Sequence, residues 1–219
     1  MEQPEIRVIL VDHQEMVRCG LQRLLNDMPG LHVVGEASSG EEAVQLSRRL
    51  QPDVVLLDVQ IPGIGGLEAV RRISRFEADI RVVVVASQAD ELFPIRLLEA
   101  GACGYLSKHC GIDEIFEAIT VVCRGERYIS ADVARQMALS ALPGGGQSPL
   151  ERLTQRELQV MLMVAQGQTV HDISGHLCLS SKTISTYRYR LYEKLGVGND
   201  VELARLAIRC GVVGIAVQA

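Results

Sequence analysis

Tryptophan is absent from the 219 residues, and aromatic side chains make up only 4% of them. Any core must therefore be built from Val, Leu, Ile and Ala, within an ordinary apolar content of 47%. No apolar run approaches the roughly 20 residues that span a bilayer. The opening MEQPEIRVIL lacks the basic-then-apolar pattern of a secretory signal. A cytoplasmic protein without membrane insertion is the expectation. CxxC pairs are also missing: Cys19, Cys103, Cys110, Cys123, Cys178 and Cys210 are scattered. That spacing supports neither a zinc site nor a disulfide framework, so reduced, mostly buried thiols are expected. A strong overall charge is lacking too, at net -5, but the charge is split. Residues 1–124 carry 19 Asp and Glu against 12 Lys and Arg, whereas residues 125–219 carry 8 against 10. An acidic first half and a mildly basic second half suggest two domains with different partners.

What is present centres on VVLLDVQIPGIGG, residues 54–66. Val54 to Leu57 fit a strand buried on both faces of a parallel sheet. Asp58 ends that run, and the Pro62-Gly63 and Gly65-Gly66 pairs close a tight loop. Alone, Asp58 is as readily a turn residue as a functional one. The rest of the first half changes that balance. Apolar strands are expected at Ile6 to Val11, His32 to Ala37, Ile80 to Ala86 and Gly104 to Ser107. Helical periods separate them, at residues 16–25 (Met16, Val17, Leu21, Leu24, Leu25), Gly40 to Leu50, Leu67 to Phe76, Leu92 to Ala100 and Ile112 to Arg124. Five such alternations predict an α/β fold, a doubly wound five-stranded parallel sheet with helices on both faces. Asp12, Asp58 and Lys108 all fall at carboxyl ends of strands, where such sheets place their chemistry. Two carboxylates and a lysine are costly together unless they pair or bind an ion, and a carboxylate beside a cation can act as a nucleophile toward a phosphoryl group.

Asp12, Asp58 with Pro62 four positions on, Gly66, and Tyr105-Leu106-Ser107-Lys108 give residues 1–124 a resemblance to the response-regulator receiver domain, of CheY-like fold. The resemblance implies that Asp58 accepts a phosphoryl group from a sensor histidine kinase and that Lys108 pairs with the phosphoryl oxygens. It implies Mg2+ among Asp12, Asp58 and the backbone of Gln60, and Tyr105 as the aromatic that reports the phosphorylated state. Two positions depart from the pattern. In VDHQEMVR, His13 stands where a second acidic residue would bind the metal directly. Magnesium prefers hard oxygen donors and imidazole suits softer metals, so weak magnesium binding is expected. At the end of the fourth strand Ala86 aligns with the Thr or Ser whose hydroxyl binds the phosphoryl group. Ser87 lies one place later, where an alternating strand is expected to turn its side chain the other way, although a one-residue shift of the alignment would restore a hydroxyl.

A connection with one short helix, Asp132 to Leu142, is expected over residues 125–149, closed by the Gly- and Pro-rich PGGGQSP. Beyond it, Thr154 and Glu157 form the sequence of a capping box, and Leu158, Met161, Leu162 and Ala165 form a buried face. Val170 to Leu177 reads as a second helix and Cys178-Leu179 as a turn. Ser180 caps a third helix with Ile184, Leu191 and Leu195 inside. Asp200 caps a fourth. The third helix carries Lys182, Thr183, Ser185, Thr186, Arg188, Tyr189, Arg190 and Lys194 on its outer face. A solvated face is the commoner origin of such a run. A helix read into a major groove nonetheless needs small polar residues near its N-terminus and cations along its sides, preceded by a short helix and turn.

LTQRELQVMLMVAQGQ, ISGHLCLSSKTI and EKLGV give residues 150–219 a resemblance to the LuxR/NarL-type helix-turn-helix domain, a small all-α fold. That implies double-stranded DNA at Lys182, Thr183, Ser185, Thr186, Tyr189 and Arg190. It also implies a homodimer contact on the fourth helix, through Val201, Ala204, Arg205 and Ile208. Strings such as VVGEASSGEEAV, TYRYR and DVELARLAIR resemble the GacA/UvrY branch of response regulators. The expectation is a phosphorylation-controlled, dimeric DNA-binding regulator and not an enzyme. The rival, favoured by His13 and Ala86, is a degenerate receiver that serves only as an interaction module.

Overall fold

The computed structural model describes residues 5–76, 79–86, 94–140 and 149–209. Strands β1 (Ile6–Val11), β2 (Leu31–Ala37), β3 (Val54–Asp58), β4 (Arg81–Ala86) and β5 (Gly104–Ser107) alternate with helices α1 (Glu15–Asn26), α2 (Gly40–Leu50), α3 (Gly65–Phe76), α4 (Pro94–Glu99) and α5 (Ile112–Cys123). A further strand, β6 (Tyr128–Ile129), and helix α6 (Ala131–Ser140) follow. The second half holds a 3-10 turn (Pro149–Arg152) and helices α7 (Gln155–Ala165), α8 (Val170–Leu177), α9 (Ser181–Leu195) and α10 (Asp200–Arg209). Two compact units result, the first reaching Met137 and the second taking up the chain at Ala138.

The sheet is parallel throughout, in the order β2-β1-β3-β4-β5-β6. Its reversal falls between β1 and β3. Val11 stands opposite Leu57 in the register, so Asp12 and Asp58 emerge side by side at the carboxyl edge. The central strands are buried on both faces because helices cover both. On one face Leu25 of α1 and Ile115, Ala118, Ile119 and Val122 of α5 close over Val8, Leu10, Leu56 and Val83.

The five expected core strands are all present, and a short sixth adds to them. It lies in the segment read as connection: the Tyr128 and Ser130 amides donate to the Cys103 and Tyr105 carbonyls, so β-prone residues extend the edge of the sheet. On α1 only Leu25 is fully buried, while Met16 is 87% exposed and Leu24 faces solvent. The helix meets the sheet along a narrower stripe than its apolar content suggests. Residues 92–93 and 141–142, placed in helices from the sequence, lie outside the described residues, as do Ser87 and Cys210.

In the second unit α7 is the central helix. Leu158 and Met161 are buried as expected, but so are Val160, Met163 and Val164, whereas Leu162 and Ala165 are half-buried. Helices on several sides, α8, α9 and α10, bury more than one face. The capping box is present: the Thr154 hydroxyl accepts from the Glu157 amide, and Glu157 reaches back to the Thr154 amide. Leu195 is only half-buried. Asn199, not Asp200, caps α10, its side-chain oxygen accepting from the Glu202 amide at 3.0 Å.

Gly66, at the start of α3, packs against the loop that follows Asp58. A Cβ there would lie 2.6 Å from the Val59 carbonyl oxygen and 2.8 Å from its Cα. Backbone cannot step aside as a flexible side chain can. Gly66→Ala is expected to cost about 1–3 kcal/mol, the range for overpacking, and to lower the urea midpoint of the first unit. An unchanged midpoint would contradict this packing.

Candidate functional site

The carboxyl edge of the sheet gathers the predicted pocket. β1 delivers Asp12, β3 delivers Asp58, and the turn after β5 delivers Lys108, whose amide donates to the Ala86 carbonyl at 2.8 Å. Both aspartates are buried. Lys108 Nζ donates to Asp58 Oδ2 at 2.8 Å and to Asp12 Oδ2 at 3.4 Å. The remaining carboxylate oxygens are held by backbone: the Gln14 amide donates to Asp12 Oδ1 at 2.8 Å, and the Gln60 amide to Asp58 Oδ1 at 3.1 Å. Gln14 was not legible as a pocket residue, since only its amide takes part.

Burial pushes the Asp58 carboxyl above the usual aspartate range, and the Lys108 contact and the Gln60 amide do not fully offset it. Burial also works against the Lys108 charge, yet the hydrogen bond and field of Asp58, with the field of Asp12, raise its pKa overall. Both values rise, so the pocket disfavours the Asp58 charge and favours that of Lys108, because Asp58 is the more deeply buried partner.

His13 completes the pocket at its rim. Its Nδ1 lies 3.7 Å from Asp12 Oδ1 and 3.7 Å from Asp58 Oδ2. Asp12, His13 and Asp58 each offer one ligand atom within 4.8 Å of the others, so the group can hold a metal ion. The donor set is two oxygens and a nitrogen, which is not the all-oxygen octahedron that magnesium demands. Ala86 ends β4, buried, beside Ser107 in the register. Tyr105 is 1% exposed, already turned into the interior.

The second site is the outer face of α9. Ser180 caps it, accepting from the Thr183 amide at 3.1 Å, and the turn before it carries Cys178 at a φ of 53°. Lys182, Thr186, Tyr189 and Arg190 are exposed, Tyr189 at 73%, and Thr183 and Ser185 are half-buried. The Thr186 hydroxyl donates to the Lys182 carbonyl and that of Ser185 to the Ser181 carbonyl, which leaves their oxygens as acceptors toward an incoming donor.

Two residues placed on this face by sequence are engaged elsewhere. Arg188 forms an ion pair with Asp200 at the start of α10, and Tyr192 donates to the same carboxylate at 2.6 Å. Lys194 donates at 2.7 Å to the buried Glu157. Burial works against the Glu157 charge, but Lys194 and the Thr154 donors outweigh it and lower its pKa. Helical periodicity did not signal either pair, because each partner stands on another helix. On α10, Val201 and Ile208 are exposed and Ala204 and Arg205 lie between them on the same face.

Comparisons with known proteins agree with this geometry. Residues 8–120 match the response regulator receiver domain, and residues 151–207 match the luxR family of bacterial regulatory proteins. The chain belongs to the LuxR-type two-component response regulators, DNA-binding transcription factors and not enzymes. It is 51% identical over 209 residues to Response regulator GacA of Pseudomonas viridiflava, covering 95% of this chain and 98% of that one. It is 49% identical over 208 residues to Response regulator UvrY of Escherichia coli K12, covering 94% and 95%. A solved complex of the response regulator RcsB with DNA aligns over 93% of this chain and 98% of that one, with a TM-score of 0.58. At 23% identity that likeness carries the fold alone. No helix among the described residues is long and apolar enough to cross a membrane.

Because its folded pKa is raised, Asp58 favours the folded state most below the aspartate value of 3.8 and opposes it increasingly as pH rises through the folded value. Asp58→Asn is therefore expected to raise the urea midpoint at pH 7, by a margin that narrows as pH falls toward 3.8. A less stable Asn variant at neutral pH would show that the Lys108 pair outweighs the burial.

Proposed function

We propose that this chain is a cytoplasmic regulator that takes a phosphoryl group on Asp58 from a sensor histidine kinase and binds double-stranded DNA as a homodimer. The observation that supports it best is the buried Asp58 carboxylate, fixed by the Gln60 amide and paired with Lys108 at 2.8 Å. In the transfer an Asp58 oxygen attacks phosphorus, the bond from phosphorus to the donor imidazole breaks, and that imidazole leaves with the electron pair and takes up a proton. Lys108 then neutralises the phosphoryl oxygens in place of the lost carboxylate charge. Magnesium is a weak ligand of this pocket, with oxygens available from Asp12, Asp58 and the Gln60 backbone and His13 in the remaining place.

On the DNA side, Lys182, Thr183, Ser185, Thr186, Tyr189 and Arg190 form the groove-facing set. Arg188 and Lys194 act by holding α9 against α10 and α7. The stripe of Val201, Ala204, Arg205 and Ile208, spaced for one helix face, is the dimer contact. Receiver and connection meet near residue 125 in this reading, and the DNA-binding domain starts near residue 150.

A second reading draws on Ala86 and Tyr105. A hydroxyl at position 86 would bond a phosphoryl oxygen, worth about 1.5–3 kcal/mol. Full reversal of a two-state equilibrium needs about 5.5 kcal/mol. With Ala86 in place and Tyr105 already inside, phosphorylation changes DNA affinity only modestly, and dimer concentration or a partner matters more. DNA affinity measured with and without a phosphodonor, in the wild type and in the double variant His13→Asp, Ala86→Thr, tests this. The double variant is expected to gain more than the wild type, and an equal gain contradicts it.

For the DNA face, Lys182→Ala and Arg190→Ala are each expected to flatten the slope of log affinity against log salt by about one unit, equally across sequences. Thr186→Ala and Tyr189→Ala are expected to change sequence preference. Fluorescence anisotropy on promoter fragments over a salt series is the measurement, and four unaltered variants would remove α9 from the interface.

A further inference from the structure

The structure holds a mismatch between its acidic pocket and magnesium, and that mismatch has a direction. Asp12 and Asp58 are both buried, and one lysine, Lys108, stands between them. Arg18, which lines the same pocket, is spent on the Asp12 backbone carbonyl and on Glu36. One carboxylate charge in the pocket is therefore unmatched, which is costly in a buried site and favours a bound cation.

His13 faces that charge from the side opposite in role to Lys108. Its Nδ1 is 3.7 Å from an oxygen of each aspartate, beyond hydrogen-bond reach of both. Ligand atoms about 2.1 Å from a tetrahedral divalent ion stand about 3.4 Å apart. The nitrogen is thus within a few tenths of an ångström of ligand spacing to each carboxylate. The Gln14 and Gln60 amides hold one oxygen of each carboxylate, and the three ligand atoms lie within 4.8 Å of one another, so an ion draws them together and shares Asp58 Oδ2 with Lys108. The His13 side chain is 41% exposed, which leaves solvent access for water ligands.

We propose that this pocket selects a first-row transition ion over magnesium, bound by His13 Nδ1 with one oxygen each from Asp12 and Asp58. Imidazole joined to two carboxylates suits the borderline ions of the series, whose affinities rise from manganese toward copper, and gives magnesium no advantage. The inference rests on the reading of this pocket as the phosphoacceptor site for its consequence, that the resident ion decides which metals support phosphoryl uptake. The binding step needs neither kinase nor DNA.

The test titrates purified full-length protein with cobalt(II), followed by its visible absorption, and with magnesium in competition. The wild type is expected to bind cobalt with a nitrogen-containing spectrum that His13→Ala abolishes. His13→Asp is expected to shrink the preference for cobalt over magnesium by at least about tenfold. The proposal is overturned if His13→Asp leaves that ratio unchanged, if the cobalt spectrum survives in His13→Ala, or if neither ion binds the wild type. DNA binding measured on the same preparations separates the two failures, since it would persist if only the metal assignment is wrong.

Discussion

The pair between Asp58 and Lys108 is the constraint on which the first unit depends. A buried carboxylate is costly unless it is partnered, and here the part-exposed Lys108 ammonium meets Asp58 at 2.8 Å across the edge of a parallel sheet. The topology makes this possible. Reversal of strand order beside β1 sets Asp12 next to Asp58, and β5 brings Lys108 across β4 to face them. A phosphoryl group on Asp58 would replace one charge with a larger one at the point where the sheet, the following loop and Lys108 converge.

In the second unit ion pairs do a different task. Glu157 and Lys194 join α7 to α9, and Arg188 with Asp200 joins α9 to α10. Both fix the helix that carries the proposed groove-facing residues to the helices beside it. Because α10 carries the exposed Val201 and Ile208, the Arg188–Asp200 pair joins the proposed dimer contact to the proposed recognition helix. Arg188 and Lys194 are thereby engaged within the unit, and the proposed DNA face is smaller than the charge run on α9.

Much of this was legible in the sequence, for identifiable reasons. Apolar runs ending in Asp12 and Asp58, and a short one followed by Lys108, are unusual enough to mark strand ends and their charge cluster together. Ser180 and the Thr154–Glu157 pair declared helix starts through cap chemistry that depends on neighbours three residues away. What escaped depends on distant partners. Arg188 and Lys194 are indistinguishable from phosphate ligands until Asp200 and Glu157 are seen. The strand at Tyr128–Ile129 exists because β5 leaves an open edge. Asn199 and Asp200 are equally suited to capping, and only the claim of Arg188 on Asp200 decides between them. Met16 and Leu24 have the right period for a core, but the sheet beneath α1 reaches only part of it.

The central claim is that Asp58 is the phosphoacceptor and that Lys108 supports it. Intact-mass measurement after incubation with acetyl phosphate and a divalent cation tests it most directly. The account predicts the mass gain of one phosphoryl group in the wild type, none in Asp58→Ala, and a reduced yield in Lys108→Ala. A gain that persists in Asp58→Ala, or none in the wild type under every divalent ion supplied, would contradict it.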